Sequence, residues 1–333
     1  MTTPPEQSLA IRTRGLVKNF GSNRAVDHIN LEVAQGEIFG VLGPNGAGKT
    51  TMLRMLATLL PIDSGSAEIF GVDVAKRPHV VRQLIGLTGQ YASVDEDLTA
   101  IENLVLFGRL QGLAAPRAKV IAGELLEQFS LEEAATRKLA KFSGGMRRRL
   151  DLAVSLITRP PLIFLDEPTT GLDPRTRVQM WDTIRTLVRD GATVLLTTQY
   201  LEEADQLADR LVVIDHGKTV AEGTPEELKS SVGSSTLVVD LETANDTPAA
   251  REVLERVLGA GALFIDGGRL NAPLPDANVA IDALSALREA RIAVRSVQVS
   301  KPSLDEVFLT LTGRPVEEHD ADDDAATSEG RVA

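Results

Sequence analysis

The sequence predicts an α/β protein whose main domain is a mostly parallel sheet covered by helices. From Leu9 to Leu228, short apolar segments alternate with helical segments, which is the order expected for such a sheet. Three segments, at 37–42, 161–166 and 192–197, are nearly continuous apolar runs. Runs of this kind are typical of strands that are buried on both faces, as the strands of a parallel sheet are.

A second, smaller domain follows the polar segment 229–235. Beyond it the pattern predicts strand, helix, strand, strand, helix, strand and a last helix, a ferredoxin-like α+β arrangement with an added helix. We therefore place a first domain at 1–229, an accessory domain at 230–313 and a disordered tail at 314–333. The tail has seven acidic residues and two arginines, which leaves little apolar surface for a packed core. The predicted elements are strands 236–241, 262–266, 269–272 and 292–299 and helices 249–258, 277–291 and 303–311.

Composition and charge exclude several classes of function. The 333 residues carry a formal charge of −12, whereas nucleic-acid binding relies on a basic surface, so we expect no nucleic-acid partner. The absence of cysteine excludes disulfides, thiolate zinc sites and a cysteine nucleophile. No apolar run reaches the ~18 to 20 residues that a bilayer span needs, and the amino terminus lacks the pattern of an export signal. We expect a soluble, cytoplasmic chain that reaches a membrane only through a partner.

A glycine-rich segment between a predicted strand and a predicted helix has the pattern of a phosphate-binding loop. It runs Gly43-Pro-Asn-Gly-Ala-Gly-Lys-Thr50 and lies between strand 37–42 and helix 50–59. Its glycines let backbone N–H groups face phosphate oxygens, and the helix N-terminus adds a partial positive charge. We expect Lys49 to reach the β- and γ-phosphates of a nucleoside triphosphate and the Thr50 hydroxyl to bind Mg²⁺. The alternative is a glycine-rich turn with a chance lysine, which the flanking elements disfavour.

The strand at 161–166 ends in two carboxylates. In Leu162-Ile-Phe-Leu-Asp-Glu167 the apolar residues bury the strand, and Asp166 and Glu167 follow at its carboxyl end, where α/β sheets bind ligands. We expect Asp166 to hold Mg²⁺ and Glu167 to orient or deprotonate the water that attacks the γ-phosphate. A strand that only leads into a solvated loop is the alternative, and the phosphate-binding loop in the same chain argues against it.

The segment Phe142-Ser-Gly-Gly-Met146 lies about 20 residues before Asp166 and completes a set of motifs. Alone, Ser-Gly-Gly before a helix is a common N-cap. In this order with the phosphate-binding loop and the Asp-Glu strand, it makes residues 9–228 resemble the ATP-binding cassette (ABC) ATPases, which are P-loop NTPases with a helical subdomain. The resemblance implies binding of ATP and Mg²⁺, hydrolysis of ATP, and a helical subdomain between 99 and 139 that meets a membrane permease.

The resemblance also implies that two copies of the chain enclose ATP between them. Each ATP would lie between Lys49 of one copy and Ser143, Gly144 and Gly145 of the other, because the glycines expose N–H groups at a helix start. ATP would hold the dimer closed, and hydrolysis would remove the charged group that both copies share. The result is an ATP-dependent change between closed and open states.

Three more positions correspond to motifs of the family. Gln90 corresponds to the Q-loop glutamine, Asp173 in Thr170-Gly-Leu-Asp173 to the D-loop, and Phe20 to the aromatic residue that stacks on adenine. Singly, a surface amide and a core aromatic residue are the alternatives for Gln90 and Phe20. The predicted metal ligands are Thr50, Gln90 and Asp166. The predicted ATP contacts are Phe20, Gly43, Pro44, Asn45, Gly46, Ala47, Gly48, Lys49, Thr50, Thr51, Gln90, Ser143, Gly144, Gly145 and Asp173.

Two positions depart from the common pattern of the family. Met146 stands where glutamine is usual, and methionine cannot donate a hydrogen bond. Gln199 stands where most members have histidine; its amide can donate to a γ-phosphate oxygen but cannot carry a positive charge or shuttle a proton. We therefore expect a catalytic set in which Glu167 supplies the base, Lys49 binds phosphate and Gln199 senses the γ-phosphate.

Several segments resemble one branch of the family. The segments 87–96, 142–151, 197–200 and 303–313 are similar to the daunorubicin/doxorubicin resistance ATP-binding subunits of actinobacterial drug exporters. In that branch, Met146 and Gln199 are the expected residues at their positions. The resemblance implies a peripheral ATPase at the cytoplasmic face of the cell membrane, which works with a separate multipass permease to export a drug-like or lipid-like substrate.

Other functions are compatible with parts of this pattern. A soluble cassette ATPase that acts on a non-transport complex usually has two P-loops or a long coiled-coil insertion, and neither occurs here. A non-cassette kinase or GTPase would lack Ser-Gly-Gly in this position, and a GTPase would contain Asn-Lys-x-Asp. A non-hydrolysing regulatory module conflicts with the presence of Lys49, Asp166 and Glu167.

Two further features allow more than one interpretation. The run Arg147–Arg149 could bind an anionic lipid or phosphate, or it could form a solvated helix face or a salt bridge beside the Q-loop. The helix 304–311 has an apolar stripe at Leu304, Val307, Phe308 and Leu311. The stripe either packs on the sheet of the accessory domain or forms an interface with another subunit.

Overall fold

The computed structural model describes residues 8–89, 94–232, 235–258, 264–266, 269–274, 277–300 and 302–312. The chain forms two compact units that divide between Pro225 and Glu226. This division lies close to the expected one after residue 229, and the domain limits themselves stay a prediction. The acidic segment 314–333 lies outside the described residues.

Strands and helices alternate along most of the larger unit. Its strands are β1 Leu9–Phe20, β2 Asn23–Ala34, β3 Ile38–Leu42, β4 Ser64–Ile69, β5 Val72–Asp73, β6 Ile85–Thr88, β7 Leu162–Asp166, β8 Thr193–Thr198, β9 Arg210–Asp215 and β10 Lys218–Gly223. Its helices are α1 Lys49–Leu56, α2 Pro78–Leu84, α3 Ala100–Leu110, α4 Ala115–Gln128, α5 Gly144–Ser155, α6 Pro174–Arg189 and α7 Leu201–Leu207, and α8 Pro225–Val232 begins at the division. Helix α1 ends before the predicted residue 59, because Thr58 adopts a left-handed φ of 64° that an α-helix cannot continue through.

The central sheet of the larger unit is mostly parallel, as predicted. Its strand order is β10-β9-β3-β8-β7-β6, and only β10 runs antiparallel to its neighbour. Every residue of β3, β7 and β8 is buried, which explains their continuous apolar sequences. Leu42 pairs with Thr198, and Asp166 pairs with Thr197. The carboxyl ends of β3, β8 and β7 therefore lie side by side and form the edge on which the site is built.

A second sheet of the larger unit is antiparallel, in contrast to the mostly parallel sheet predicted from the sequence. Its order is β2-β1-β4-β5, and β1 and β2 form a hairpin in which Phe20 pairs with Asn23. In β2, buried Ile29, Leu31 and Val33 alternate with exposed residues, as in a sheet with one solvated face. A two-residue loop that begins with Gly21 joins the strands, and this glycine-first turn is the sequence signal that identifies the hairpin.

Helices α3 and α4 and 3-10 turns at Glu132–Ala134 and Leu139–Lys141 form the helical subdomain predicted between 99 and 139, and α5 extends it beyond that range. Helix α3 begins with a capping box: the Thr99 hydroxyl accepts from the Glu102 N–H, and the Glu102 carboxylate accepts from the Thr99 N–H. Buried side chains from all three helices join those of β7 and β8 in one apolar cluster. The subdomain therefore packs on the sheet that ends in Asp166.

The smaller unit has the predicted ferredoxin-like order. Its strands are β11 Ser235–Leu241, β12 Phe264–Asp266, β13 Arg269–Leu274 and β14 Val294–Ser300, and its helices are α9 Thr247–Leu258, α10 Ala277–Glu289 and α11 Leu304–Thr312. The sheet is antiparallel in the order β12-β13-β11-β14. In α11, Leu304, Val307 and Phe308 are buried within the chain, whereas Leu311 is 38% exposed.

None of the helices in the described part of the chain combines the length and the apolar character that a bilayer crossing requires.

Candidate functional site

The phosphate-binding loop connects β3 to α1 at the carboxyl edge of the central sheet. The Gly43 N–H donates to the Thr198 carbonyl at 3.3 Å, and the Gly217 N–H donates to the Ala47 carbonyl at 2.9 Å, which fixes both parts of the loop. Gly48 caps α1 with a φ of 106°, and a Cβ atom there would lie 2.2 Å from the Ala25 carbonyl oxygen. Only glycine fits this position, so the loop presents bare backbone N–H groups at the start of a helix.

The side chain of Lys49 lies beneath the loop. Its Nζ donates to the carbonyls of Gly43 at 2.7 Å and Pro44 at 3.1 Å, and it lies 3.5 Å from Oε1 of Glu167. The residue is only 4% exposed. Burial lowers the pKa of the Lys49 ammonium, and the Glu167 carboxylate opposes this shift. The arrangement places one cation between the phosphate-binding backbone and the carboxylate at the end of β7.

Two hydroxyl groups and a carboxylate meet beside Lys49. Oδ1 of Asp166 accepts from the Thr50 hydroxyl at 3.0 Å and from the Thr197 hydroxyl at 2.6 Å. Within the described residues, no group of three or more His, Asp or Glu side chains is arranged to hold a metal ion. A hydroxyl and one carboxylate suit Mg²⁺, which prefers oxygen ligands and takes the rest of its ligands from phosphate and water. The predicted ligands Thr50 and Asp166 therefore fit this ion.

Glu167 adopts an uncommon backbone conformation directly after β7. Its φ is 48°, in the left-handed region, which costs a non-glycine residue on the order of 1–3 kcal/mol. Its N–H donates to the Thr197 carbonyl at 3.0 Å, and its side chain is 8% exposed. The turn directs the carboxylate toward Lys49 instead of letting it follow the strand into solvent, which was the alternative.

Arg148 holds the backbone of this turn, a contact that was not predicted from the sequence. Its guanidinium donates four hydrogen bonds, to the carbonyl oxygens of Asp166, Glu167, Pro168 and Gly89, at 2.7 to 2.8 Å. In the sequence, the feature that pointed to this contact was the run Arg147–Arg149. It does not form the solvated face that was one interpretation, because all three of its arginines are partly buried.

Ser143, Gly145 and Asp173 lie near one another because the start of α5 contacts the start of α6. Ser143 caps α5 and accepts from the Met146 N–H at 3.3 Å, and Asp173 caps α6 and accepts from the Thr176 N–H at 3.0 Å. A Cβ atom on Gly145 would lie 2.6 Å from Cγ2 of Thr176, so glycine lets the two helix starts approach closely. The Ser-Gly-Gly and D-loop segments therefore form one connected surface.

The remaining predicted site residues have different surroundings. Phe20 ends β1 and is 47% exposed, with the Lys18 ammonium 5.7 Å from its ring centre, so it is not a core residue. Gln199 directly follows β8 and is 7% exposed. Gln90 lies outside the described residues.

Comparisons with known proteins agree with this arrangement. A family model described as "ABC transporter" matches residues 26–170, and a second, described as "ATP-binding protein DrrA1-3-like, C-terminal domain", matches residues 223–312. The chain is 52% identical to the daunorubicin/doxorubicin resistance ATP-binding protein DrrA of Streptomyces peucetius, with 100% of each chain covered. The chain belongs to the ABC transporter ATPases.

More distant relatives and solved structures of ABC ATPases support the assignment. The chain is 38% identical to the Nod factor export ATP-binding protein I of Rhizobium sp. strain N33, over 93% of this chain and 99% of the relative. It also matches a dimeric, post-hydrolysis ATP-binding cassette bound to ADP and phosphate, with a TM-score of 0.59 and 26% identity over 64% of this chain and 98% of the other. The predicted resemblance, the P-loop NTPase fold and the ATPase activity are confirmed, whereas the roles of individual residues stay predictions.

Glu203 is a second feature of this ABC ATPase that the sequence alone did not predict. It lies in α7, is fully buried, and its Oε1 accepts from the Thr169 hydroxyl at 2.7 Å and the Trp181 indole at 3.3 Å. Burial raises the pKa of the carboxyl group, and these hydrogen bonds only partly offset the shift. Glu203 thus ties α7 and α6 to the segment that follows Glu167.

We expect Glu203→Gln to change how the stability of the larger unit depends on pH. Because the pKa of Glu203 is higher in the folded chain than the usual 4.5, the wild type loses stability as pH rises above that value. The variant has no such loss, so its thermal midpoint relative to wild type should increase from about pH 5 to about pH 8. Fluorescence of Trp181, the only tryptophan, reports the transition.

Glu102→Gln is the matched control for this measurement. The hydrogen bonds from Thr99 lower the pKa of Glu102 below the usual 4.5, so the carboxyl group is mostly ionised in both the folded and the unfolded chain at about pH 5 and above. The thermal midpoint of Glu102→Gln should therefore differ from that of the wild type by a nearly constant amount over the same pH range. Parallel curves for Glu203→Gln and wild type would contradict a raised pKa of Glu203 in the folded chain.

Proposed function

We propose that this ABC ATPase is the energy-supplying subunit of a drug exporter. In this proposal it works as a head-to-tail homodimer on a separate multipass permease at the cytoplasmic face of the membrane, and the cargo is an anthracycline-like compound. The observation that supports the cargo is the similarity to daunorubicin/doxorubicin resistance proteins, which reaches 52% identity and includes the C-terminal domain. Identity to Nod factor export proteins is lower, at 37–39%.

The contacts around Lys49 support the assignment of its chemical role. Its ammonium already lies among backbone carbonyls and 3.5 Å from Glu167, and a triphosphate would offer it stronger, charged partners. Thr50 and Asp166 would hold Mg²⁺, which neutralises phosphate charge when bound. Gln90 would complete this ligand set.

Glu167 is the general base in this proposal. Its carboxylate is nearly buried and faces the Lys49 ammonium, at the edge of the sheet where the γ-phosphate would lie. Gln199, at the end of the neighbouring strand β8, would donate its amide N–H to a γ-phosphate oxygen. The exposed Phe20 ring would stack on adenine.

The second copy of the chain would complete each site. Ser143 and the two glycines after it begin α5 and would donate to the γ-phosphate bound by Lys49 of the partner. Asp173 would lie at the same contact, because Thr176 joins its loop to α5. Loss of the γ-phosphate removes the group that both copies bind, so hydrolysis would reopen the dimer.

Transport into membrane vesicles tests the proposal directly. Inside-out vesicles that contain the wild-type chain and a candidate multipass permease should accumulate doxorubicin when Mg-ATP is added. Vesicles with the Glu167→Gln variant, or with either protein alone, should not. If the wild-type pair hydrolyses ATP but moves no anthracycline, the cargo assignment is wrong. If the multipass protein neither binds the chain nor alters its ATP hydrolysis, the partnership is wrong.

A further inference from the structure

Three consecutive arginines of α5 bind three different parts of the larger unit. Arg147 pairs with Glu96, and Arg149 donates to the carbonyl of Phe129 at 3.1 Å, in the helical subdomain. Arg148 alone donates to the turn that contains the catalytic carboxylate. Neighbouring side chains of the same type therefore offer a natural comparison between a contact to the catalytic turn and contacts elsewhere.

The Arg148 guanidinium fits this turn because its donors are fixed in one plane. Nη2 donates to the carbonyls of Asp166 and Glu167, both at 2.8 Å, and Nε donates to that of Pro168, also at 2.8 Å. Nη1 donates to the carbonyl of Gly89 at 2.7 Å. One rigid group thus binds three successive carbonyls of the turn and a fourth at the end of β6.

The turn needs such support because Glu167 is held in the left-handed region. A residue with a φ of 48° stays there only when surrounding contacts hold it. Arg148 donates to the Asp166 carbonyl, which precedes the φ angle of Glu167, and to the Glu167 carbonyl, which follows its ψ angle. A change in the backbone of Glu167 would therefore break at least two hydrogen bonds of Arg148. The position of the Glu167 carboxylate is therefore coupled to the position of α5.

We propose that Arg148 is a positioning residue that couples the two ATP sites of the dimer. The proposal rests on the head-to-tail arrangement of the proposed function, in which Glu167 acts on the ATP bound by its own chain and Ser143 contacts the ATP bound by the partner. Ser143 begins α5, and Arg148 follows one turn later on that helix. Movement of α5 on binding the second nucleotide would thus reach the Glu167 turn through a single side chain.

Steady-state ATP hydrolysis by the full-length Arg148→Met and Arg149→Met variants tests this coupling. Methionine keeps much of the apolar stem of arginine and removes every donor. We expect Arg148→Met to lower kcat by about 10- to 100-fold with little change in KM, since misplacement of a catalytic group slows chemistry more than binding. Its Hill coefficient for ATP should fall toward one from a wild-type value above one. Arg149→Met should keep the wild-type kcat and Hill coefficient.

Arg148→Lys and a dimerisation assay separate the possible failures. Lysine keeps the charge but cannot reach four carbonyls, so it should restore only part of kcat. Equal losses in the two methionine variants, or a wild-type Hill coefficient in Arg148→Met, would overturn the coupling. ATP-dependent dimerisation is measured in the Glu167→Gln chain: if no dimer forms there, the proposed function fails, and the coupling fails with it.

Discussion

Glu167→Gln should abolish ATP turnover while ATP binding continues. A positioned general base contributes about 10² to 10⁴-fold to a rate, and the glutamine amide cannot accept the proton of the attacking water. Glutamine has the same shape, so the turn at φ 48° and the bonds from Arg148 to its carbonyl should persist. Without hydrolysis the γ-phosphate remains between the two copies, so the variant should form a stable dimer in Mg-ATP. Phosphate release and sedimentation measure the two effects.

Glu37→Gln is the control for this variant. Glu37 is a partly buried carboxylate just before β3, and it accepts from the Ala34 N–H at 2.7 Å. It lies at the amino end of the strand whose carboxyl end begins the phosphate-binding loop, so its loss should leave turnover unchanged. Robust hydrolysis by Glu167→Gln would show that another group supplies the base, and a monomer in saturating Mg-ATP would contradict the ATP-enclosing dimer.

Much of the candidate site could be predicted because its parts are local in sequence and a parallel sheet brings them together. The loop before Thr50 and the carboxylates after Leu165 follow strands that run in the same direction, so both must lie at the carboxyl edge. The bond between the Thr50 hydroxyl and Asp166 at 3.0 Å is the result.

The contacts of Arg148 and Glu203 depend on no local pattern, whereas the hairpin of β1 and β2 has a local signal in Gly21. Whether a strand pairs parallel or antiparallel depends on its neighbours, and the predicted alternation of strands and helices concealed the hairpin of β1 and β2. Arg148 donates to carbonyl groups, which every residue has, so nothing in the sequence marks its targets. Glu203 lies in a segment with several acidic residues, and only the fold shows that it is fully buried against Trp181.

Phe20 and Lys49 are expected to contribute unequally to ATP affinity. Phe20 is exposed, with the Lys18 ammonium 5.7 Å from its ring centre, so its contribution to ATP affinity would be that of one stacking contact. Lys49 is 4% exposed, and the exclusion of water around it strengthens any bond to phosphate. The largest loss of affinity from a single substitution is therefore expected at Lys49.

Lys49→Met should lower ATP affinity by about 100-fold or more and abolish hydrolysis. Hydrogen bonds to charged groups contribute about 1.5–3 kcal/mol each, and the ammonium can bind oxygens of two phosphates. Methionine occupies a similar volume, but Glu167 and Asp166 then lie beside the phosphates without the cation, so their charges repel the ligand. Equilibrium binding of a fluorescent ATP analogue measures the affinity, and circular dichroism checks that the fold is intact.

Arg54→Met and Lys49→Arg distinguish the role of this ammonium from general charge effects. Arg54 lies on the same helix and is exposed, so its removal deletes one positive charge without touching the loop, and affinity should stay near wild type. Lys49→Arg keeps the charge, but a planar guanidinium does not fit a buried site built around carbonyl contacts at 2.7 and 3.1 Å. The affinity for ATP should therefore also fall in the Lys49→Arg variant. Wild-type binding by Lys49→Met would mean that the backbone N–H groups alone hold the triphosphate, and the assigned role of Lys49 would be wrong.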